Sequence, residues 1–94
     1  MKSVMNQAKL PIAELRIAVQ AALNDDWHTA HNIAQEYSDP IANWIHAVLH
    51  KIEGDVWNSK YWYARTAGKQ YEVFPDPREE LLTIQNSLNE YERI

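Results

Sequence analysis

The stretch Ile41-Ala42-Asn43-Trp44-Ile45-His46-Ala47-Val48-Leu49-His50-Lys51-Ile52-Glu53-Gly54 decides the fold. Ile41, Trp44, Ile45, Val48, Leu49 and Ile52 fall at i, i+3, i+4, i+7, i+8 and i+11, an unbroken apolar stripe of helical period. Upstream, Asp39 is placed to cap this helix and Pro40 to open its first turn, where a missing N–H costs nothing. Downstream, Gly54 supplies a left-handed stop, because it has no Cβ to penalise positive φ. The expected helix runs over residues 40–53.

The same grammar extends on both sides. Pro11 followed by Ile12, Leu15, Val19, Ala22 and Leu23 predicts a helix over 10–24. Asp25 or Asp26 can cap a helix over 26–37, with Trp27, Ala30, Ile33, Ala34 and Tyr37 inward. Asp55 caps a helix over 56–67 that Gly68 ends, and 69–76 is a loop. Asp76 and Pro77 start a last helix over 77–92, with Glu79 and Glu80 in its positive-dipole first turn and Leu81, Leu82, Ile84, Leu88 and Tyr91 on its apolar side. Pro11/Pro40, Ile12/Ile41, Ala13/Ala42, Ala18/Ala47, Val19/Val48 and Asp26/Asp55 repeat at an offset of 29. Duplication of a hairpin would produce that pattern, and so would helix grammar shared by two unrelated hairpins. The expected fold is all-α: one domain, two stacked antiparallel αα-hairpins and a C-terminal capping helix.

Composition narrows the class. The chain has 94 residues, enough for one core. Nine Lys and Arg against thirteen Asp and Glu leave a net charge of -4, which repels phosphate and speaks against a nucleic-acid partner. With zero Cys there are no disulfides, thiolate zinc sites or Cys nucleophiles. The two Gly and four Pro suit helices better than a turn-rich β fold. No segment is apolar enough to span a membrane, and the start, Met1 to Leu10, has no apolar core of signal-peptide length. A soluble cytoplasmic protein, bacterial in style, is expected. The two Gly stand fourteen apart, so a phosphate-cradling loop is excluded. Ser3, Ser38, Ser59 and Ser87 lie in no nucleophile-elbow context.

Two resemblances follow from particular residues. Gly54-Asp55, Ser59, Trp62-Tyr63 and Ala67-Gly68 resemble the second half of tetratricopeptide and Sel1-like repeats, which implies a helical hairpin interaction module. Trp27, Ala30-His31, the run from Trp44 to Asp55, Asn58 and Tyr61-Trp62-Tyr63 resemble a group of short bacterial proteins of unassigned function. Those carry a Trp-Ile-His-Ala-x-Leu-His-Arg-x-Glu-Gly-Asp run. This chain departs from it at Lys51, where the pattern has Arg, and at Ser59, where Ala is usual. The resemblance covers about residues 26–68 and implies a compact all-helical fold without assigning an activity.

Chemistry can sit at His46, His50 and Glu53, which at i, i+4 and i+7 span about 60° of one helix. The apolar stripe is centred on the opposite side, so these side chains are expected outside the core. Two His one turn apart can chelate a divalent ion such as zinc, nickel or ferrous iron. Glu53 can serve as a third ligand or orient an imidazole from behind. His31 can join if the hairpins pack face to face. A zinc-protease role is disfavoured, because the general-base Glu between the two His is missing. The plainer alternative for each His is a hydrogen-bonded or solvated structural role.

The second concentration is aromatic. Trp57, Tyr61, Trp62, Tyr63, Tyr71 and Phe74 hold six of the ten aromatic side chains. Trp57 and Tyr61 point one way, Tyr63 with Val56 another and Trp62 a third. Central packing is one role for them. An interface or peptide groove is a second, with Trp57, Tyr61, Trp62, Tyr63 and Arg65 as the surface and a second copy or another protein as partner, and a small-ligand pocket is a third. A non-enzymatic interaction module therefore ranks first. A metal- or small-ligand-binding protein using His31, His46, His50 and Glu53 ranks second. An enzyme ranks last, with no catalytic residue assigned.

Overall fold

The computed structural model describes residues 10–92. The signal-peptide reading of the start and Ser3 fall on residues outside these. The described residues form five helices: α1 (Ile12–Leu23), α2 (Trp27–Ala34), α3 (Pro40–Ile52), α4 (Val56–Tyr63) and α5 (Pro77–Glu92). No strand occurs among them, and no helix is long and apolar enough to cross a membrane. The all-α architecture of two hairpins and a closing helix is therefore the observed one.

The caps are built as the side chains dictate. Asp26, Asp39 and Asp55 each accept from the backbone N–H three residues on, Thr29, Ala42 and Asn58. The 29-residue offset recurs in the backbone bonds that end and restart the helices. Asp25 N–H donates to Ala22 and Asp26 N–H to Ala21; 29 residues on, Gly54 donates to Lys51 and Asp55 to His50. Both are the paired bonds of a left-handed helix stop. Gly54 adopts it at φ 82 and Asp25 at φ 64. The second helix of each hairpin unwinds alike, through Glu36 to Ile33 and Tyr37 to Ala34, then Arg65 to Trp62 and Thr66 to Tyr63.

That unwinding corrects two expected ends. α2 stops at Ala34 rather than 37 and α4 at Tyr63 rather than 67, because the next residues close tighter i→i−3 turns. At α4 the Thr66 hydroxyl also takes the Tyr63 carbonyl at 2.7 Å and accepts from Lys69 N–H at 2.9 Å. α1 begins at Ile12, with Pro11 as its cap residue.

Each hairpin packs on itself, α2 docks on α3, and α5 lies across α1 and α3. The core is drawn from every helix: Leu15 and Val19, Ala30, Ile45, Val48 and Leu49, Tyr63, and Leu81, Ile84 and Leu88. α3 is central. Every residue from Ala42 to Leu49 is buried, so all its faces are covered. Ile52, Leu82 and Tyr91, expected inward, are exposed. Arg78 of α5 donates to the Leu23 carbonyl at 3.1 Å, closing the open end of α1.

Candidate functional site

The docking of α2 on α3 brings His31 to His46 and His50. One potential ligand nitrogen from each lies within 4.8 Å of the other two. The ring centres are 4.6 Å apart for His31 and His46, 5.4 Å for His31 and His50, and 5.0 Å for His46 and His50. Two indoles hold the rings in place. Trp27, one turn before His31, stacks on it at 4.7 Å and 10°. Trp62 of α4 stacks on His46 at 4.0 Å and 14°. Trp27 is itself fixed, because its Nε1–H donates to the Leu49 carbonyl at 2.7 Å. The histidines thus sit between the two hairpins, under one aromatic side chain from each.

This overturns the expected placement of His46 outside the core. Its exposure is 5%. The stripe criterion sees only the seam facing α1 and α5, whereas α2 and α4 cover the reverse of α3. His50, at the rim, is in hydrogen-bond contact through Nδ1 with Glu53. Glu53 is exposed; it lies outside the set of three histidines but groups with His50 and Asp55, one ligand atom of each within 4.8 Å of the others. The Asp55 carboxylate also accepts from Asn58 N–H at 3.2 Å and from Asn58 Nδ2 at 2.7 Å. Those bonds hold its pKa below the usual carboxylate value.

The electrostatics favour neutral imidazoles. Burial, then the neighbouring His31 and His50, push the His46 pKa down to about 4. Burial, then His50, lower that of His31. At neutral pH both rings carry a lone pair.

The aromatic candidates separate into three roles. Trp57 is 73% exposed and stacks on Tyr61 with ring centres 5.9 Å apart. The Arg65 guanidinium lies 3.7 Å from the Tyr61 ring centre, and its Nη1 donates to the Tyr61 carbonyl at 2.9 Å. These three form an exposed ladder along α4 and the turn that follows it. Trp62 instead belongs to the histidine cluster. Tyr63 is buried, and its hydroxyl donates to Glu80 at 2.6 Å.

Glu80 and Lys51 are the pair that the sequence reading missed. Glu80, 1% exposed, also accepts from Trp44 Nε1 at 2.7 Å and from Lys51 Nζ at 2.8 Å. Lys51 Nζ donates further to the Tyr71 and Phe74 carbonyls, both at 2.9 Å. Burial and the bond to Glu80 raise the Tyr63 pKa. This network ties α5 and the loop after α4 to α3. Its polar atoms are satisfied by one another, and a cavity of about 310 Å³ lies beside Trp44, Phe74 and Glu80. A signal existed: Trp44 and Lys51 are seven apart, on one helix face.

A groove of about 460 Å³ is lined by Ile41, Trp44, Lys69, Glu90 and Tyr91 among others, not by the histidines. No family model, curated protein or solved structure matches the chain.

Proposed function

We propose that the chain is a non-enzymatic interaction module that engages a protein partner, a second copy of itself in the simplest case, through the exposed face of α4. The observation that carries this reading is the Trp57–Tyr61–Arg65 ladder, with Trp57 73% exposed yet stacked. Trp, Tyr and Arg are the residues that dominate binding energy at interfaces. Held in a stack, they lose little rotamer freedom on binding, which lowers the ordering cost. Paired helices presenting one face to a partner suit the resemblance of residues 54–68 to tetratricopeptide and Sel1-like hairpins. A cytoplasmic setting fits a chain of zero Cys.

Sedimentation at micromolar concentration tests it. The wild type is expected to form a dimer. Trp57→Ala is expected to weaken it about 30-fold or more, the equivalent of ~2 kcal/mol for a central aromatic anchor. An unchanged melting temperature shows that the fold is intact. A wild type that stays monomeric, or a dimer indifferent to Trp57→Ala, overturns the proposal.

A further inference from the structure

We propose that His31, His46 and His50 together hold one divalent first-row transition ion of the zinc type, with Glu53 orienting His50 and the fourth position left to solvent. The ladder on α4 plays no part in this site.

The donor set is the first ground. Three imidazoles from two separate hairpins meet with their ligand nitrogens within 4.8 Å. A tetrahedral ion with Zn–N bonds of ~2.0–2.1 Å places its nitrogens roughly 3.4 Å apart, so small ring movements complete the geometry. The second ground is the lack of any other employment for these rings. Among the described residues neither the His31 nor the His46 ring makes a hydrogen bond, although Lys51, Ser59, Asn43 and Trp44 at comparable depth all do. A structural histidine buried this far ordinarily bonds a carbonyl or a carboxylate. Here the rings face one another, and a cation is a partner that three imidazole nitrogens can share.

The surroundings agree. Glu53 occupies His50 Nδ1, which leaves Nε2 for the ion and reproduces the carboxylate–histidine–metal relay. Trp27 and Trp62 lie parallel to His31 and His46 and limit their rotation. No side-chain nitrogen or oxygen sealed from solvent lacks a partner among the described residues, so the unbonded His46 nitrogens are not fully sealed. Imidazole donors select zinc, nickel, cobalt or copper over magnesium and calcium. The ion would join α2 to α3, the seam between the hairpins, so its binding is coupled to stability.

The test uses the intact chain and zinc chloride alone, read by calorimetry, melting temperature and Trp fluorescence. One ion per chain is expected to bind, raise the melting temperature and perturb the fluorescence of Trp27 and Trp62, while magnesium chloride does none of these. His31→Ala is expected to abolish binding. Glu53→Gln, at an exposed position, should weaken it about 10–100-fold with the fold intact, and it decides the matter if His31→Ala fails to fold. His28→Ala, exposed and outside the cluster, should bind as the wild type does. Absence of zinc binding at millimolar concentration overturns the proposal, and so does binding that His31→Ala and Glu53→Gln leave unchanged.

Discussion

Glu80→Gln removes the carboxylate on which Lys51, Trp44 and Tyr63 converge. The change keeps the side chain's shape but leaves the Lys51 ammonium, 6% exposed, without a counter-ion. Two carbonyls still accept from it, so the low end of the roughly 3–5 kcal/mol cost of breaking a buried pair applies, about 3 kcal/mol. The new amide also brings N–H groups against the Trp44 and Tyr63 donors. In a domain this small about 1 kcal/mol moves the midpoint by ~4–8 °C, so the melting temperature should fall by roughly 12–24 °C. Lys51→Met should cost a similar amount, since it strands the carboxylate with two donors. The double variant should cost clearly less than the two singles together, a coupling of about 2 kcal/mol, because each single leaves an uncompensated buried group that the double no longer has. Urea unfolding followed by circular dichroism at 222 nm measures all four proteins. Singles within ~0.5 kcal/mol of the wild type, or a strictly additive double, would refute the reasoning.

Three further outcomes are expected. With metal chelated, stability should fall as pH drops from about 6.5 towards 4, because the unfolded chain takes up a proton at His46 that the fold resists; the loss reaches at most ~3 kcal/mol, and His46→Gln should flatten most of it in urea titrations at pH 7 and pH 4.5. Gly54→Ala should cost about 1–2 kcal/mol from its positive φ alone, since no neighbour lies within 4 Å of an added Cβ, while Asp25→Gly at the matching position should gain a few tenths to ~1 kcal/mol; reversed signs in thermal melts would contradict the paired helix stops. Trp27→Phe keeps an aromatic ring but loses the indole N–H and its bond to Leu49, and should cost about 1 kcal/mol or more and shift the imidazole NMR signals of His31 and His50; unmoved signals would show that Trp27 does not position them.

The helices were legible because their signals are local. Asp26, Asp39 and Asp55 each announce a cap, and Gly54 a stop, within four residues of where they act. The stripe from Ile41 to Leu49 located the core side of α3. The end of α4 was misread because Ala67-Gly68 resembles a helix stop, whereas a tighter turn and the Thr66 hydroxyl end the helix first. Burial of His46 was hidden because periodicity describes a helix with one partner, and α3 packs against every other helix. The relation of His50 to Glu53 lies within a single turn and could be foreseen. That of His31 to both histidines depends on how two hairpins dock, which spacing along the chain does not encode. The pairing of Lys51 with Glu80 was invisible for the same reason, compounded by the default that a lysine stays in water. Spacing sets Trp57 and Tyr61 apart from Trp62 and Tyr63, but only the tertiary structure shows Trp57 exposed and Trp62 and Tyr63 packed, and Val56, grouped with Tyr63 by spacing, is exposed.

All of this depends on the two hairpins meeting so that α2 and α3 bring three imidazoles together, and nuclear Overhauser contacts in the metal-free chain measure that meeting most directly. Cross-peaks are expected between the ring protons of His31 and His46, centres 4.6 Å apart, and between those of His46 and Trp62, centres 4.0 Å apart. Rings that show contacts only to neighbours on their own helix would contradict it.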